Sequence, residues 1–239
     1  MITFDGHDFS TLFSCGDPEI SLFTVTPNLV DVTEKDGRIV TGSALSGTTI
    51  TFTIFAEGDA IERRRKFSEL GRWLNVDEPK PLVIPDINDW YYLAVPDGSL
   101  DLTRCFNAEY TTITFQIVET AAYGNERTFT IPSGSSVTFT VSGTYPTKPT
   151  ISADSAVRNG TSLVWGIKLD DADFVHVPIS VSTAVPVSID CDRRTASANS
   201  ANAMITLGSD WLELEPGEHT LTMDKGTGAA TVTYRERWL

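Results

Sequence analysis

Residues 49–74 read TITFTIFAEGDAIERRRKFSELGRWL, and the period of their apolar side chains changes half-way along the stretch. In TITFTIF every second residue is apolar, which places those side chains on one face of a β-strand. After Asp59 the apolar residues recur close to every 3.6 positions, the period of an α-helix, and Asp59 is suited to cap the first turn. The stretch therefore predicts a half-buried strand followed by a helix over about residues 59–75.

The alternation of TITFTIF recurs along most of the chain, in short windows separated by turn residues. Thr, Val and Ile, which are favoured in strands, make up 65 of the 239 residues. The clearest further windows are TTITFQIV, SVTFTVS and SLVWGIKL, followed by the alternating runs 175–181, 187–189, 221–223 and 232–234. The sequence therefore predicts a mainly β protein, built of antiparallel sheet with one buried face.

A polar joint, IPSGSSVT, separates two strand-rich regions after Pro132. The region 1–132 contains the helix and a net charge of −10, whereas 133–239 has a net charge of −4. In the second region, strands come about every 8–12 residues between turn signals such as Asn159-Gly160, the spacing of a sandwich. We expect an N-terminal β-rich domain with one helix over 1–132, and a C-terminal antiparallel β-sandwich over 133–239.

The charge and the cysteines exclude several classes of protein. The net charge of −14 has the wrong sign for a surface that neutralises nucleic-acid phosphates. The chain has no apolar run long enough for membrane insertion, and its first residues resemble no secretory signal. Cys15, Cys105 and Cys191 are odd in number and widely spaced, so we expect free thiols.

The sequence contains no motif that predicts an enzyme, a cofactor or a metal site. Its histidines, His7, His176 and His219, have no partner at metal-ligand spacing, and nucleophile-elbow, P-loop and dinucleotide-binding motifs are missing. Two acidic groups are weaker signals, and each has a structural interpretation beside the functional one. The acidic residues 170, 171 and 173 suggest calcium ligands or a solvated loop, and Glu213 with Glu215 suggest a glycosidase pair or the wet side of a strand.

Two other groups are candidates for contacts. The basic run Arg63–Lys66 suggests phosphate binding, but on an amphipathic helix it fits a solvated face. Aromatic residues suit a protein interface or stacking on a glycan, with core packing as the alternative. The candidate contact residues are Trp90, Tyr91, Tyr92, Trp165, Trp211 and Trp238.

In order along the chain, these segments resemble the distal tail proteins of long-tailed, siphovirus-type phages and prophages. ITFDGHDFSTLF is similar to the family's short first strand, and GRIVTGSALSGTTITFTIFAEG resembles the Gly-rich loop and strand before its single helix. EPKPLVIPD, WYYLAVPDG and ITFQIVETAAYG follow the helix in the family's order. In the C-terminal half, the residues that match the family's Ile-Asp turn and Trp-x-x-Leu-x-Pro-Gly strand pair are Ile189, Asp190, Trp211, Leu214, Pro216 and Gly217.

The resemblance implies a structural, non-enzymatic subunit of the tail tip. Its N-terminal domains would form a homo-hexameric ring around the tail channel, each with a galectin-like sandwich as outer domain. Implied partners are the tail tube protein, a tail-associated hub or lysin protein and receptor-binding proteins, while DNA only passes through the channel. The protein would be made in the bacterial host cytoplasm and end in the virion tail tip. The basic run and the lack of a long inserted arm in the second domain depart from the family.

An alternative function stays open from the residues themselves. The C-terminal sandwich would then be a carbohydrate-binding module that attaches to host cell-wall glycan through Trp165, Trp211 or Trp238. An exposed aromatic platform favours that function, whereas buried aromatics favour a structural adaptor.

Overall fold

The computed structural model describes residues 1–239 apart from 22, 33–35, 86–88 and 106. The chain forms two compact units, unit 1 (Met1–Ala122) and unit 2 (Tyr123–Leu239). This division lies about ten residues before the polar joint at Pro132, because the strand Ala122–Ile131 is part of a sheet of unit 2. Antiparallel pairing dominates both units, which confirms the predicted mainly β fold.

Unit 1 contains a large antiparallel sheet, a separate two-stranded ribbon and the helix α1 (Ala60–Leu74). Its described strands are β1 (Thr3–Phe4), β2 (His7–Asp8), β3 (Ser14–Cys15), β4 (Glu19–Ile20), β5 (Thr24–Asp31), β6 (Arg38–Ser46), β7 (Thr49–Glu57), β8 (Lys80–Val83), β9 (Tyr92–Asp97), β10 (Thr103–Cys105) and β11 (Ala108–Ile117). The large sheet has the order β2-β1-β8-β9-β11-β7-β3, with β4 also on β7 and β10 also on β11. The ribbon consists of β5 and β6.

The core of unit 1 lies between the large sheet and α1. Ile50, Phe52 and Ile54 of β7 are buried, as the alternation in TITFTIF predicts. Leu70 and Trp73 are the buried residues of α1, and they belong to the same core cluster. The change of period at Asp59 therefore marks the point where the chain leaves the sheet and turns back over it.

The start of α1 is fixed by its own first residues. Asp59 accepts hydrogen bonds from the N–H groups of Ile61 and Glu62, and the Glu62 side chain accepts from the Asp59 N–H, which together form a capping box. Gly58 has a φ of +117°, and a Cβ there would collide with the Glu62 carboxylate. The predicted helix of about 59–75 is confirmed, with Asp59 and Asn75 as its caps.

Unit 2 consists of two antiparallel sheets. Its strands are β12 (Ala122–Ile131), β13 (Ser136–Val141), β14 (Thr150–Ala156), β15 (Val164–Leu169), β16 (Asp173–Pro178), β17 (Val185–Asp190), β18 (Thr195–Ala198), β19 (Ala201–Ala203), β20 (Gly217–Lys225) and β21 (Ala230–Trp238). The larger sheet has the order β12-β21-β14-β17-β18-β19, and the smaller has the order β13-β20-β15-β16. The two sheets share one core, to which Ile151 and Val187 contribute from the larger and Trp165 and Leu221 from the smaller. This arrangement is the predicted β-sandwich.

Two local predictions in unit 2 are wrong. The alternation through 175–181 extends past the strand, because β16 ends at Pro178 and Val181 lies on the surface. The stretch WLELE at 211–215 forms no strand of its own beyond an isolated bridge from Leu214 to Thr147. Its Leu residues are nevertheless buried and its Glu residues exposed, so the side-chain alternation is correct while the backbone pairing is not.

Candidate functional site

The ribbon of β5 and β6, called the arm below, is a long and largely exposed element of unit 1. Every residue of β5 is exposed, and so is β6 from Arg38 to Ala44. The described part of the unit 1 core contains no arm residue. A two-stranded hairpin alone is only marginally stable in water, so an arm of this length needs a further surface against which to pack.

The register of the arm gathers five apolar residues on one face. Residues directly opposite each other in an antiparallel pair lie on the same face, and Val25 is opposite Leu45 while Leu29 is opposite Val40. Pro27 lies between these pairs on the same face, because side chains two residues apart in a strand point the same way. Val25, Leu29 and Val40 are 53%, 44% and 64% exposed. These five residues form what we call the apolar face of the arm.

The other face of the arm is polar toward its base and apolar toward its tip. Thr24, Thr26 and Asn28 of β5 lie on it toward the base, with Ala44 opposite Thr26 and Gly42 opposite Asn28, whereas Val30 and Ile39, 47% and 39% exposed, lie opposite each other toward the tip. Exposed apolar residues on a ribbon that belongs to no core are typical of an element that packs against another protein. The arm therefore has the chemistry of an interface element.

Sequence reasoning did not find the arm. The stretch from Gly37 to Gly47, expected as a Gly-rich loop, contains β6. The signal was the Asp36-Gly37 dipeptide between two runs rich in β-branched residues, which is typical of a hairpin turn. Because these runs contribute no residue to the described core of unit 1, their pattern is weaker than that of the core strands.

Trp165 is the predicted contact residue whose position the structure contradicts. Its side chain is fully buried in the core of unit 2, at 0% exposure. A side chain without accessible surface stacks on no glycan and touches no partner. Trp165 is therefore a core residue, because β15 is buried on both of its faces.

The other predicted aromatic contacts lie at intermediate depth. Trp211 is half-buried and packs against the core of unit 2, and Trp238 is half-buried at the end of β21. In unit 1, Trp90 and Tyr91 are half-buried, and Tyr92 packs against the core from the start of β9. Each therefore retains some accessible surface, and unit 1 and unit 2 each hold part of the predicted set.

The acidic loop after β15 is held by a histidine rather than arranged around an ion. His219 lies with Nδ1 2.5 Å from Asp170 Oδ2 and Nε2 2.7 Å from the Glu215 carbonyl oxygen. The N–H of Thr220 donates to the other Asp170 oxygen at 2.7 Å. Both Asp170 oxygens are therefore engaged by hydrogen bonds. Among the described residues, no group of three or more His, Cys, Asp or Glu side chains is arranged to hold a metal ion.

This pair has perturbed pKa values. Burial alone would lower the pKa of His219, but its hydrogen bonds to Asp170 and the Glu215 carbonyl raise it above the ordinary 6.5. Burial alone would raise the pKa of Asp170, but the hydrogen bonds from His219 and Thr220 hold it below the ordinary 3.8. A carbonyl and a carboxylate both accept, so the ring makes both hydrogen bonds at once only as an imidazolium.

We expect the stability of unit 2 to depend on pH through this pair. The raised His219 pKa adds stability that is fully present below pH 6.5 and is lost as the pH rises through the folded value. The lowered Asp170 pKa adds stability that is present above pH 3.8 and is lost as the pH falls through its folded value. The contribution is therefore largest between about pH 4 and pH 6.5.

The measurement is an NMR titration of the His219 ring, together with thermal unfolding from pH 5 to pH 8 of the native chain and of His219→Gln. The native chain should lose more stability than the variant between pH 6.5 and pH 8. A His219 titration at or below 6.5, with equal pH slopes for both chains, would contradict the assignment.

The three cysteines are free thiols, as the sequence predicts. Cys15, Cys105 and Cys191 form no disulfide, and burial raises the pKa of the Cys191 thiol to about 12. Such a thiol is protonated at neutral pH and packs as a small apolar side chain.

Within the described ranges, no helix has the length and apolar character needed to cross a membrane.

Comparisons with known proteins relate both halves of the chain to phage tails. Residues 5–117 match the family described as phage tail protein RIFT-related domain, and residues 142–238 match the siphovirus-type tail component, C-terminal domain. No curated protein sequence matches the chain.

Solved structures extend the comparison to the fold. The crystal structure of SPP1 Dit (gp 19.1), described as a paradigm of the hub adsorption apparatus in phages that infect Gram-positive bacteria, is similar with a TM-score of 0.82. The two are 19% identical, over 100% of this chain and 98% of that chain. The phage p2 baseplate in its activated conformation with Sr gives a TM-score of 0.48 at 10% identity, over 92% of this chain and 91% of that chain. The fold of SPP1 Dit is therefore shared along the full length.

Proposed function

This chain belongs to the siphovirus-type phage tail components, as a distal tail protein with both characteristic domains in order, and we propose that six copies close into a ring that forms the hub of the tail tip. The role of such a subunit is structural. The number six comes from the resemblance to distal tail proteins. The interface between copies is indicated by this chain's own residues.

The observation that carries the ring proposal is the apolar face of the arm. Val25, Leu29 and Val40 are each about half exposed or more, on an element that contributes nothing to the described core of its own unit. Fully burying one such side chain contributes roughly 1.5–3 kcal/mol, so covering the face with a neighbouring copy supplies several kcal/mol per contact. When each copy covers the arm of the next, the contacts are head-to-tail, which is the geometry that closes rings.

We assign the ring contacts to the N-terminal domain, 1–132, and the adaptor contacts to the C-terminal sandwich, 133–239. The arm and α1 both lie in the first of these regions. In the second, Trp211 and Trp238 present partly exposed aromatic surface suited to anchoring another protein, as Trp90, Tyr91 and Tyr92 do in the first.

The proposed partners are the tail tube protein on one face of the ring and a tail-associated hub or lysin protein on the other, with receptor-binding proteins at the sandwich. DNA passes through the channel without binding, since a net charge of −14 repels the duplex. The protein is a component of the virion tail, and we place it at the tail tip after synthesis in the host cytoplasm. Its work is to position other proteins, and no reaction is assigned to it.

The test is the mass of the full chain in solution, measured by light scattering across a range of concentrations and followed by imaging of the largest species. We expect a species of six 26.1 kDa chains with a central hole. A single-chain mass at every concentration, both alone and mixed with the tail tube and hub proteins of the same phage, would overturn the ring.

A further inference from the structure

The basic run on α1 is divided by the structure into two pairs with different roles. Arg63 donates to the carbonyl oxygen of Asn107 at 3.1 Å, and also to that of Gly58. Lys66 donates to the carbonyl oxygen of Glu57 at 2.9 Å. These two residues fasten the helix to the chain beside it. The middle pair of the run, Arg64 and Arg65, is exposed, and neither makes an ion pair with any residue that the structure describes.

The exposed pair belongs to one stripe of the helix. Ile61, Arg64, Arg65 and Ser68 follow the spacing of three and four residues that brings side chains onto the same face. Ile61 is 65% exposed, although it is an apolar residue at the start of the stripe. Beside the stripe, Leu100 and Leu102 are 40% and 42% exposed, and they line a groove together with Arg64, Phe67, Ser68 and Leu70. We call this stripe and groove the α1 face.

The α1 face is complementary to a protein surface that carries carboxylates and an apolar side chain. Arginine guanidinium groups pair with carboxylates in a planar, two-pronged geometry, and the exposed leucines offer an apolar seat. Two arginines between Glu62 and Glu69 release too few counterions to hold a nucleic acid on a chain of net charge −14.

Charge also decides which symmetry the contact has. If two copies met through the same face, Arg64 and Arg65 of each would oppose those of the other, and like charges in an interface are unfavourable. The α1 face therefore fits a head-to-tail contact, in which it meets a different surface of the next copy.

The complementary surface lies at the base of the arm. Asp17, Glu19 and Ile20 are exposed, and the two carboxylates make no ion pair with any described residue. Glu19 and Ile20 pair with the start of β7, at Thr51 and Ile50, whereas α1 begins after the end of β7. Within one copy, neither Asp17 nor Glu19 forms an ion pair with Arg64 or Arg65, so both surfaces are available to a neighbouring copy.

We propose that the α1 face of one copy binds the acidic segment Asp17, Glu19 and Ile20 of the next copy. The contact rests on the proposed ring and supplies its polar part: Arg64 and Arg65 pair with Asp17 and Glu19, and Ile20 enters the groove beside Leu100 and Leu102. A charged contact of this kind fixes the register and the direction of assembly, which the apolar face of the arm alone specifies poorly.

The test is an exchange of charges. Arg64→Glu with Arg65→Glu should raise the concentration needed for half assembly by about tenfold or more, because two attractive pairs become repulsive. Asp17→Lys with Glu19→Lys should do the same. All four substitutions together should return assembly to within about threefold of the native chain, since the pairs are re-formed with opposite sign.

The matched control combines Arg64→Glu and Arg65→Glu with Asp77→Lys and Glu78→Lys. It has the same net charge as the fourfold exchange, but its new lysines lie in the exposed segment after α1. If the fourfold exchange assembles no better than this control while the native chain forms rings, the contact is wrong and the ring stands. A native chain that never assembles would overturn both. If Arg64→Glu with Arg65→Glu unfolds the chain, Arg64→Gln with Arg65→Gln replaces it. This milder variant should also raise the concentration needed for half assembly, but by less than the reversal of charge.

Discussion

Trp165→Ala is expected to lower the free energy of unfolding of unit 2 by about 3–5 kcal/mol, the range for removing a large aromatic side chain from a core. Trp165 has no exposed surface and is among the largest fully buried side chains of the chain. Removing the Trp165 side chain leaves a cavity between the two sheets of unit 2. The other core residues are held in place by the strand pairing of both sheets. A change of this size is a large fraction of the total stability of a domain, which is roughly 5–15 kcal/mol.

The measurement is calorimetric unfolding of the full chain, with Leu207→Ala as the control. Leu207 is fully exposed, so its substitution should change stability by no more than about 0.5 kcal/mol. A loss below about 1 kcal/mol for Trp165→Ala would contradict the assignment of Trp165 to the core.

The burial of Trp165 also bears on the alternative in which the C-terminal sandwich binds carbohydrate. Any loss of glycan retention in Trp165→Ala would report unfolding of the sandwich rather than loss of a stacking surface. The informative substitution for that alternative is Trp211→Ala, because Trp211 keeps accessible surface beside the core.

The second large effect is expected at the arm. Replacing Val25, Leu29 and Val40 together by serine should raise the concentration needed for half assembly by about a hundredfold or more. Each side chain contributes roughly 1.5–3 kcal/mol when fully buried, and half of that for three residues is roughly 2.3–4.5 kcal/mol, a range centred above the roughly 2.7 kcal/mol that a hundredfold change requires. The fold of unit 1 should be unchanged, because its described core contains no arm residue.

The matched control for the arm lies on its other face. Thr24→Ser, Thr26→Ser and Asn28→Ser change the same strand and leave the apolar face intact. They should assemble like the native chain, as followed by light scattering over the same concentrations. Equal assembly by the apolar-face variant and this control would show that the arm is not the contact between copies.

The sequence predicted those parts of the fold in which burial and local pattern agree. Along β7, Ile50, Phe52 and Ile54 alternate with threonines because one side of the strand faces a core. The helix was equally clear, since Asp59 caps it and Leu70 and Trp73 fall on its inner side. In these elements each residue's local preference and its tertiary environment point to the same structure.

Prediction failed where a side chain's environment depends on distant strands or on another molecule. Trp165 was a candidate contact because one sequence cannot tell a strand buried on both faces from one buried on a single face. The arm was missed because Val25, Leu29 and Val40 belong to no core of their own chain. The basic run predicts one solvated face, whereas Arg63 and Lys66 are held by carbonyls at the end of β7 and in the turns beside it.

The central claim is that a neighbouring copy covers the apolar face of the arm, and hydrogen–deuterium exchange of the arm amides tests it most directly. Amides of β5 and β6 should exchange many times more slowly in the assembled fraction than in the single-copy fraction, while core strand β7 should be protected in both. Equal exchange of the arm amides in both fractions would contradict the claim, since an arm that stays open to water on assembly is not what joins the copies.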